Sequence, residues 1–147
     1  MRPERLWWWS TRLHRKRLTP LARVLKAANF FLFHAVLPYE CEIHPDVTLW
    51  HRGLGTVIHP NTRIGRRVSI GHGVTITAGS QEPGSQLAVH LGDDVVVGTG
   101  ALVRPKRGHA LHVGDGAQIG AHAVVVRDVP PGGVMVPPVA SLREPRD

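Results

Sequence analysis

The sequence has few aromatic residues and a single cysteine. Aromatic side chains make up 5% of the 147 residues, and three of the four tryptophans are consecutive, Trp7 to Trp9. A core formed by the rest of the chain must therefore consist of Val, Ile, Leu and Ala. Because Cys41 has no second cysteine to pair with, an intrachain disulfide is excluded, which fits a reducing cytosol. Cys41 is either a nucleophile or, as we favour, a small half-buried residue before a strand.

Excess positive charge is absent from most of the chain. Residues 1–26 hold eight of the 18 Lys and Arg residues and one of the 11 Asp and Glu residues. The remaining 121 residues are neutral, with ten of each sign. A nucleic-acid-binding domain needs a basic face, so we expect no nucleic-acid partner for the body of this protein.

Residues 1–39 predict a basic, Trp-rich helical arm. Thr19 and Pro20 form a suitable N-cap and first helical position. The apolar run over 27–37 is too short to span a bilayer, and no small-x-small cleavage site follows it, so we expect a retained arm. Two interpretations remain open. Residues 1–26 contact an anionic membrane peripherally, with Trp7 to Trp9 at the interface, or the arm packs on the body or a neighbouring subunit. We expect a cytoplasmic protein in either case.

A six-residue period begins at Ile43. Gly follows most of the periodic residues, which indicates a corner of the chain every six residues and hence a β-solenoid over residues 40–140, with a tail at 141–147. One aliphatic residue per side points inward. The periodic residues are Ile43, Leu49, Ile58, Ile64, Ile70, Ile76, Leu91, Val97, Val103, Val113, Ile119 and Val125.

This winding brings two histidines together. Three sides make one coil, so Leu49 and Ile70 begin the same side on successive coils. His51 and His72 each follow two residues later and are therefore expected about 5 Å apart, the spacing of neighbouring strands. The same column continues through Thr99 and Ala121. Irregular stretches at 52–56 and 77–90 flank it, and such excursions commonly carry function.

The repeat resembles that of the hexapeptide-repeat acyltransferases over residues 40–140. L-W-H-R-G-L-G-T-V-I (49–58), I-G-H-G-V-T-I (70–76) and V-G-D-G-A-Q-I-G-A-H-A-V-V-V-R-D-V-P-P-G (113–132) are similar to the serine acetyltransferase branch, in a short form. The resemblance implies a mainly β fold, a left-handed parallel β-helix of hexapeptide repeats with a short N-terminal helical arm. It also implies a homotrimer that could pair further, and an active site in a groove between subunits.

The implied activity is direct transfer of an acetyl group from acetyl-CoA, as co-substrate, to the hydroxyl of a small-molecule acceptor. His51 matches the catalytic general base, His72 beside it is a second catalytic candidate, and no metal is expected. Glu42 matches the acidic partner in motif but lies one side before His51 instead of two, and Asp46 is the alternative. The residues expected to contact the CoA arm or its phosphates are Gly79, Thr99, Gly100, Ala101, Lys106 and Arg107.

Three other functions stay open at this stage. The Arg-His pair that contacts the amino acid in typical members is absent, with Ala88 at the matching place, so the acceptor could be a sugar or a pathway metabolite. A γ-carbonic-anhydrase-like zinc hydratase would need three converging histidines, whereas the column supplies two. A non-catalytic scaffold would retain the β-helix alone.

Overall fold

The computed structural model describes residues 1–78 and 89–141 of the chain. Two α-helices precede thirteen short strands, and a short 3-10 helix lies at Trp50–Gly53. The helices are α1 (Pro3–Arg15) and α2 (Thr19–Phe33). The strands are β1 (Glu42–Ile43), β2 (Thr48–Leu49), β3 (Val57–Ile58), β4 (Thr62–Ile64), β5 (Ser69–Ile70), β6 (Thr75–Ile76), β7 (Val89–Leu91), β8 (Val96–Val97), β9 (Leu102–Val103), β10 (Leu111–Val113), β11 (Gln118–Ile119), β12 (Val124–Val125) and β13 (Val134–Met135).

The strands form three parallel sheets, one for each side of a triangular coil. The first side is β1-β4-β7-β10, the second is β2-β5-β8-β11-β13 and the third is β3-β6-β9-β12. Every strand up to β9 pairs with the strand three places later in the chain, so three strands make one coil. The predicted three-sided winding of a β-solenoid is thereby confirmed.

The core is a set of aligned aliphatic columns inside the coil. On the second side, Leu49 pairs in register with Ile70, Ile70 with Val97, and Val97 with Ile119. All four side chains are buried. The register therefore confirms the predicted column, and every residue two positions further along is placed at an equivalent corner of successive coils.

Glycine follows the inward-facing residue because the next coil passes directly over that position. A Cβ on Gly98 would lie 2.5 Å from the backbone N of Ala121 and 2.8 Å from the carbonyl O of Ile119. A Cβ on Gly71 would lie 2.5 Å from the backbone N of Thr99. These contacts are too short for any side chain, so the glycines set how closely the coils stack.

The helical arm closes the N-terminal end of the solenoid. Trp7 is fully buried in the same core cluster as Leu37 and Leu49, and its indole N–H donates to the carbonyl O of Pro38 at 2.8 Å. This contact removes Trp7 from a membrane interface and favours the second interpretation, in which the arm packs on the body. α1 packs on the body through its first tryptophan, while Trp9 stays half exposed.

The junction between arm and solenoid lies earlier than predicted. α2 ends at Phe33, and Val36 already forms a parallel bridge with Val57 on the third side. Residues 34–39 thus belong to the first coil. The boundary predicted at residue 40 is therefore too late in the chain. At the other end of α2 the helix begins at Thr19 with Leu18 as N-cap, one residue before the predicted cap. Within the described residues, neither helix has the length and apolar character needed to cross a membrane.

We predict that Gly98→Ala destabilises the fold by about 1–3 kcal/mol, because the added methyl group collides with the backbone of the next coil. Thermal or urea denaturation of the purified protein measures the loss. Gly116→Asn is the matched control: nothing lies within 4 Å of a Cβ there, and Asn tolerates its positive φ of 68°. Equal stability of the two variants would contradict the stacking constraint.

Candidate active site

His51 lies at the corner after β2, in a left-handed turn. Its backbone has φ 49° and ψ 39°, and the next residue, Arg52, has φ 59°. Gly53 and Gly55 also have positive φ. The left-handed region costs non-glycine residues roughly 1–2 kcal/mol each, so the turn is retained at an energetic cost. Such strain is often found at functional sites.

Hydrogen bonds to neighbouring segments hold this turn in place. Leu54 accepts from the N–H of Gly73 on the next coil at 2.8 Å, and the N–H of Gly55 donates to the carbonyl O of His34 at 3.1 Å. The buried hydroxyl of Thr56 donates to the carbonyl O of Gly71 at 3.3 Å. Thr56 was not among the predicted site residues. Its signal in the sequence is its position directly after the turn glycines Gly53 and Gly55 and directly before β3.

The rings of His51 and His72 meet edge to face. Their centroids are 4.8 Å apart and the planes are inclined at 87°. Nδ1 of His72 lies 3.4 Å from Oγ1 of Thr99, the next residue in the column. His51 is exposed and His72 is half-buried. The predicted juxtaposition of the two histidines is therefore confirmed, whereas their chemical roles stay predictions.

A groove of about 320 Å³ runs along the second side next to this pair. Trp50, immediately before His51, lines the groove together with larger apolar residues near β11 and β13. Its small lining residues are Gly98, Thr99, Gly120 and Ala121. Trp50 was not among the predicted site residues; its signal in the sequence is that it is the single tryptophan outside the N-terminal arm.

The predicted CoA-contacting residues lie in different places in the structure. Thr99 lies in the groove. The N–H of Gly100 donates to the carbonyl O of His72 at 3.0 Å, so Gly100 spaces the coils beneath the site. The structure corrects the assignment of Ala101, which is fully buried. Its N–H donates to the carbonyl O of Gly98 at 3.2 Å, and its carbonyl O accepts from the N–H of Thr75 at 2.9 Å. With both backbone groups bonded and its methyl group in the core, Ala101 does not face a ligand.

The other predicted contacts lie further along the chain. Lys106 and Arg107 are exposed on the turn between β9 and β10. The carbonyl O of Lys106 accepts from the N–H of His109 at 3.1 Å, which holds the turn. Gly79 lies outside the described residues.

The assignment of Glu42 as acidic partner is also corrected. Glu42 lies on the first side and accepts two hydrogen bonds from the Arg63 guanidinium, from Nε at 2.7 Å and Nη2 at 3.1 Å. Those bonds lower the pKa of the Glu42 carboxyl. The alternative, Asp46, bonds Nδ1 of His44 at 2.6 Å. Within residues 1–78 and 89–141, His51 has no hydrogen bond or ion pair to a carboxylate.

Burial decides the role of Cys41. The Cys41 thiol is buried and donates to the carbonyl O of His59 at 3.3 Å, and burial raises its pKa to about 12. A thiol in that state is not a nucleophile at neutral pH, which favours the structural interpretation of Cys41.

Across the described ranges, no group of three His, Cys, Asp or Glu residues could hold a metal ion, so the zinc-hydratase hypothesis has no ligand set there.

Known proteins share both the sequence and the architecture of this chain. Serine acetyltransferase from Helicobacter pylori is 37% identical over 129 residues, which cover 84% of this chain and 69% of that protein. The crystal structure of Neisseria gonorrhoeae serine acetyltransferase in complex with serine matches with a TM-score of 0.76 and 28% identity, over 93% of this chain and 54% of the other. Soybean serine acetyltransferase complexed with serine matches with a TM-score of 0.75 and 30% identity, over 90% of this chain and 51% of the other. No protein-family model matches the sequence.

These likenesses identify the solenoid as the left-handed parallel β-helix of the hexapeptide-repeat acyltransferases, a class that includes acetyl-CoA-dependent O-acetyltransferases. Within that class, the chain belongs to the serine acetyltransferase family. It spans about half the length of the two solved relatives.

We predict that Glu42→Gln leaves acetyl transfer within about twofold of the unmodified protein, because Glu42 is bound to Arg63 and not to His51. Its pKa is lowered in the folded state, so the pair adds stability above the unfolded pKa and loses it as the pH falls through the folded pKa. Both partners are exposed, so the loss at neutral pH should stay below about 1 kcal/mol.

Thermal melts from neutral to acid pH test the second part. The melting temperatures of the two proteins should differ slightly at pH 7 and converge once Glu42 is protonated. A large loss of activity at unchanged stability would restore Glu42 as a catalytic residue.

Proposed function

We propose that this protein is an acetyl-CoA-dependent serine O-acetyltransferase in which His51 is the general base. The observation that carries the proposal is the strained His51 turn, which holds one imidazole against His72 beside a groove. The neutral ring accepts the proton of the acceptor hydroxyl, and the oxygen attacks the thioester carbonyl carbon. When the C–S bond breaks, the leaving thiolate takes that proton from the imidazolium.

Serine is the acceptor that the relatives support, since two of them are solved as complexes with serine. The Arg-His pair of typical members has no match at residues 87 and 88, so other groups must bind the amino acid here. A general base requires only a hydroxyl within hydrogen-bond reach, so the transfer step is the same for another acceptor.

The groove suits the pantetheine arm of acetyl-CoA. The groove is lined by Gly98, Thr99 and Ala121, whose small side chains leave room for a linear chain, and Trp50 adds an apolar surface. We assign Thr99 as a contact of the pantetheine arm. We assign the exposed Lys106 and Arg107 as contacts of the diphosphate end. Gly79 is proposed for the same arm on the family motif alone. Acetyl-CoA supplies the activated acetyl group; the chain supplies the base and the orientation.

We also propose a homotrimer with the site between subunits. His51 is exposed and, within the described residues, has no carboxylate partner, so a single chain leaves the site open on one side. Residues 34–140 would then be the catalytic body and residues 1–33 an arm that closes its end.

The test is thiol release from acetyl-CoA with L-serine, without acceptor, and with a panel of sugars and amino alcohols. We expect serine-dependent release, and a loss of about 10²- to 10⁴-fold for His51→Asn. Asn is chosen because it tolerates the left-handed backbone of His51. His34→Asn is the matched control, since His34 is also exposed and has φ 54°.

Each outcome decides one part of the proposal. Release with another acceptor only would keep the base and replace serine. Equal release by the unmodified protein and by His51→Asn would exclude His51 as the base. Tight acetyl-CoA binding without release in the presence of any acceptor would favour the non-catalytic scaffold.

We propose that His72 is a positioning residue for His51. Edge-to-face ring contacts are worth about 0.5–1.5 kcal/mol, so His72→Ala should lower kcat by about two- to tenfold and leave KM for acetyl-CoA nearly unchanged. His72→Phe keeps the ring contact and should restore most of kcat. If Phe fails to restore it and the pH dependence of kcat changes, His72 takes part in proton transfer instead.

A further inference from the structure

The outward-facing side of α2 is apolar and uncovered. Ala22, Asn29 and Phe33 face inward and are buried. Outside this buried stripe, the helix carries five large apolar residues that are more than half exposed: Leu21, Val24, Phe30, Phe31 and Leu32. Scattered surface leucines need no explanation, but a continuous apolar helix face marks an interaction surface. We call these five residues the outer face.

An apolar hollow lies beside the outer face. Its volume is about 390 Å³, and it opens between α2 and the first coil. Ala27, Phe30, Phe31, Ala35 and Val36 form its apolar walls. The hollow extends the outer face sideways, so a partner could bury apolar groups both on the helix and between the helix and the body.

Two cations line the same hollow. Nε of Arg23 donates to the Tyr39 hydroxyl at 3.5 Å, and Nζ of Lys26 lies 5.2 Å from the centre of the Tyr39 ring. Tyr39 therefore gathers both positive charges next to an apolar cavity. Such an arrangement suits molecules with apolar chains and anionic head groups.

The charge of the arm decides between a second copy of the chain and another partner. Residues 1–26 hold eight basic residues and one acidic residue. Pairing of two outer faces would bring these like charges together, whereas an anionic bilayer complements them. A heterologous contact within the proposed trimer is the competing occupant, which lipid-free self-association through this face would reveal. We propose that the outer face of α2 and the adjoining hollow form a docking surface for membranes that contain anionic lipids.

The orientation of α2 on the bilayer follows from its length. Fifteen residues of helix are too short to span the hydrocarbon core, so α2 would lie parallel to the membrane plane with its outer face in the interface. Trp7 cannot serve as the anchor because it is buried in the core. The surface does not involve His51 or the groove, so the inference stands independently of the acetyltransferase proposal.

The experiment is flotation of the full-length protein with vesicles of phosphatidylcholine alone and of phosphatidylcholine with phosphatidylserine. We expect flotation with the anionic vesicles only, weakened by high salt. Val24→Asp should reduce binding by about tenfold or more, because it removes apolar contact and adds a repelled charge. Val124→Asp is the matched control: Val124 is 61% exposed against 62% for Val24, and it lies on β12.

A second pair of variants tests the charges. The double variant Arg23→Gln, Lys26→Gln should lose about fivefold in binding for each cation removed. Arg104→Gln, Arg127→Gln removes the same net charge from exposed positions on the body and should bind within about twofold of the unmodified protein. Melting temperatures of all variants exclude misfolding as the cause.

Three results would overturn the proposal. Equal flotation with and without phosphatidylserine would remove the role of the cations. Equal losses for Val24→Asp and Val124→Asp would remove the role of the outer face. Lipid-free self-association that Val24→Asp abolishes would assign the face to a second copy of the chain.

Discussion

Hydrogen bonding between stacked coils is the constraint on which the rest of this structure depends. Parallel strands lie about 4.8 Å apart, and every coil must repeat its path at that distance to keep its backbone groups paired. The N–H of Gly98 donates to Ile119 at 2.7 Å, directly below the next corner. No Cβ fits at such corners, and each side turns two buried side chains into the coil, as Val95 and Val97 do on the second side. The repeated aliphatic-Gly pattern is the record of this packing in the sequence.

The same stacking creates the candidate site. Equivalent positions on successive coils must touch, so one histidine two residues after Leu49 and another two residues after Ile70 meet with no further device. What the coil does not supply is an orientation for His51. The left-handed turn provides this orientation. Its Gly55 N–H donates to His34 at the end of α2, and its Leu54 carbonyl accepts from Gly73 on the next coil, so both neighbours fix the exposed His51 at the corner.

Sequence periodicity predicted the coil and the histidine pair because both depend on counting alone. It failed where side chains have a choice of partners. Glu42 matched a motif, yet Arg63 lies beside it on the next coil and takes the carboxylate. Ala101 matched another motif, yet it faces the core. The boundary at residue 40 was late because Val36 joins the first coil without the aliphatic-Gly signature. Motif position identifies a corner, but neighbouring coils decide what each side chain contacts.

An open-ended solenoid exposes its last core layer and must cover it. Here the cover is a two-helix arm. Among the described residues Trp7 is the largest fully buried side chain, and its indole N–H donates to the carbonyl O of Pro38. α1 needs a polar outer surface and has one, since charged residues flank its buried face. α2 is different: the core occupies a narrow stripe of it, and five large apolar residues outside that stripe are more than half exposed. A cap alone does not require that second face, and leaving it in water is unfavourable. Its retention beside the most basic part of the chain is therefore better explained by a partner than by folding.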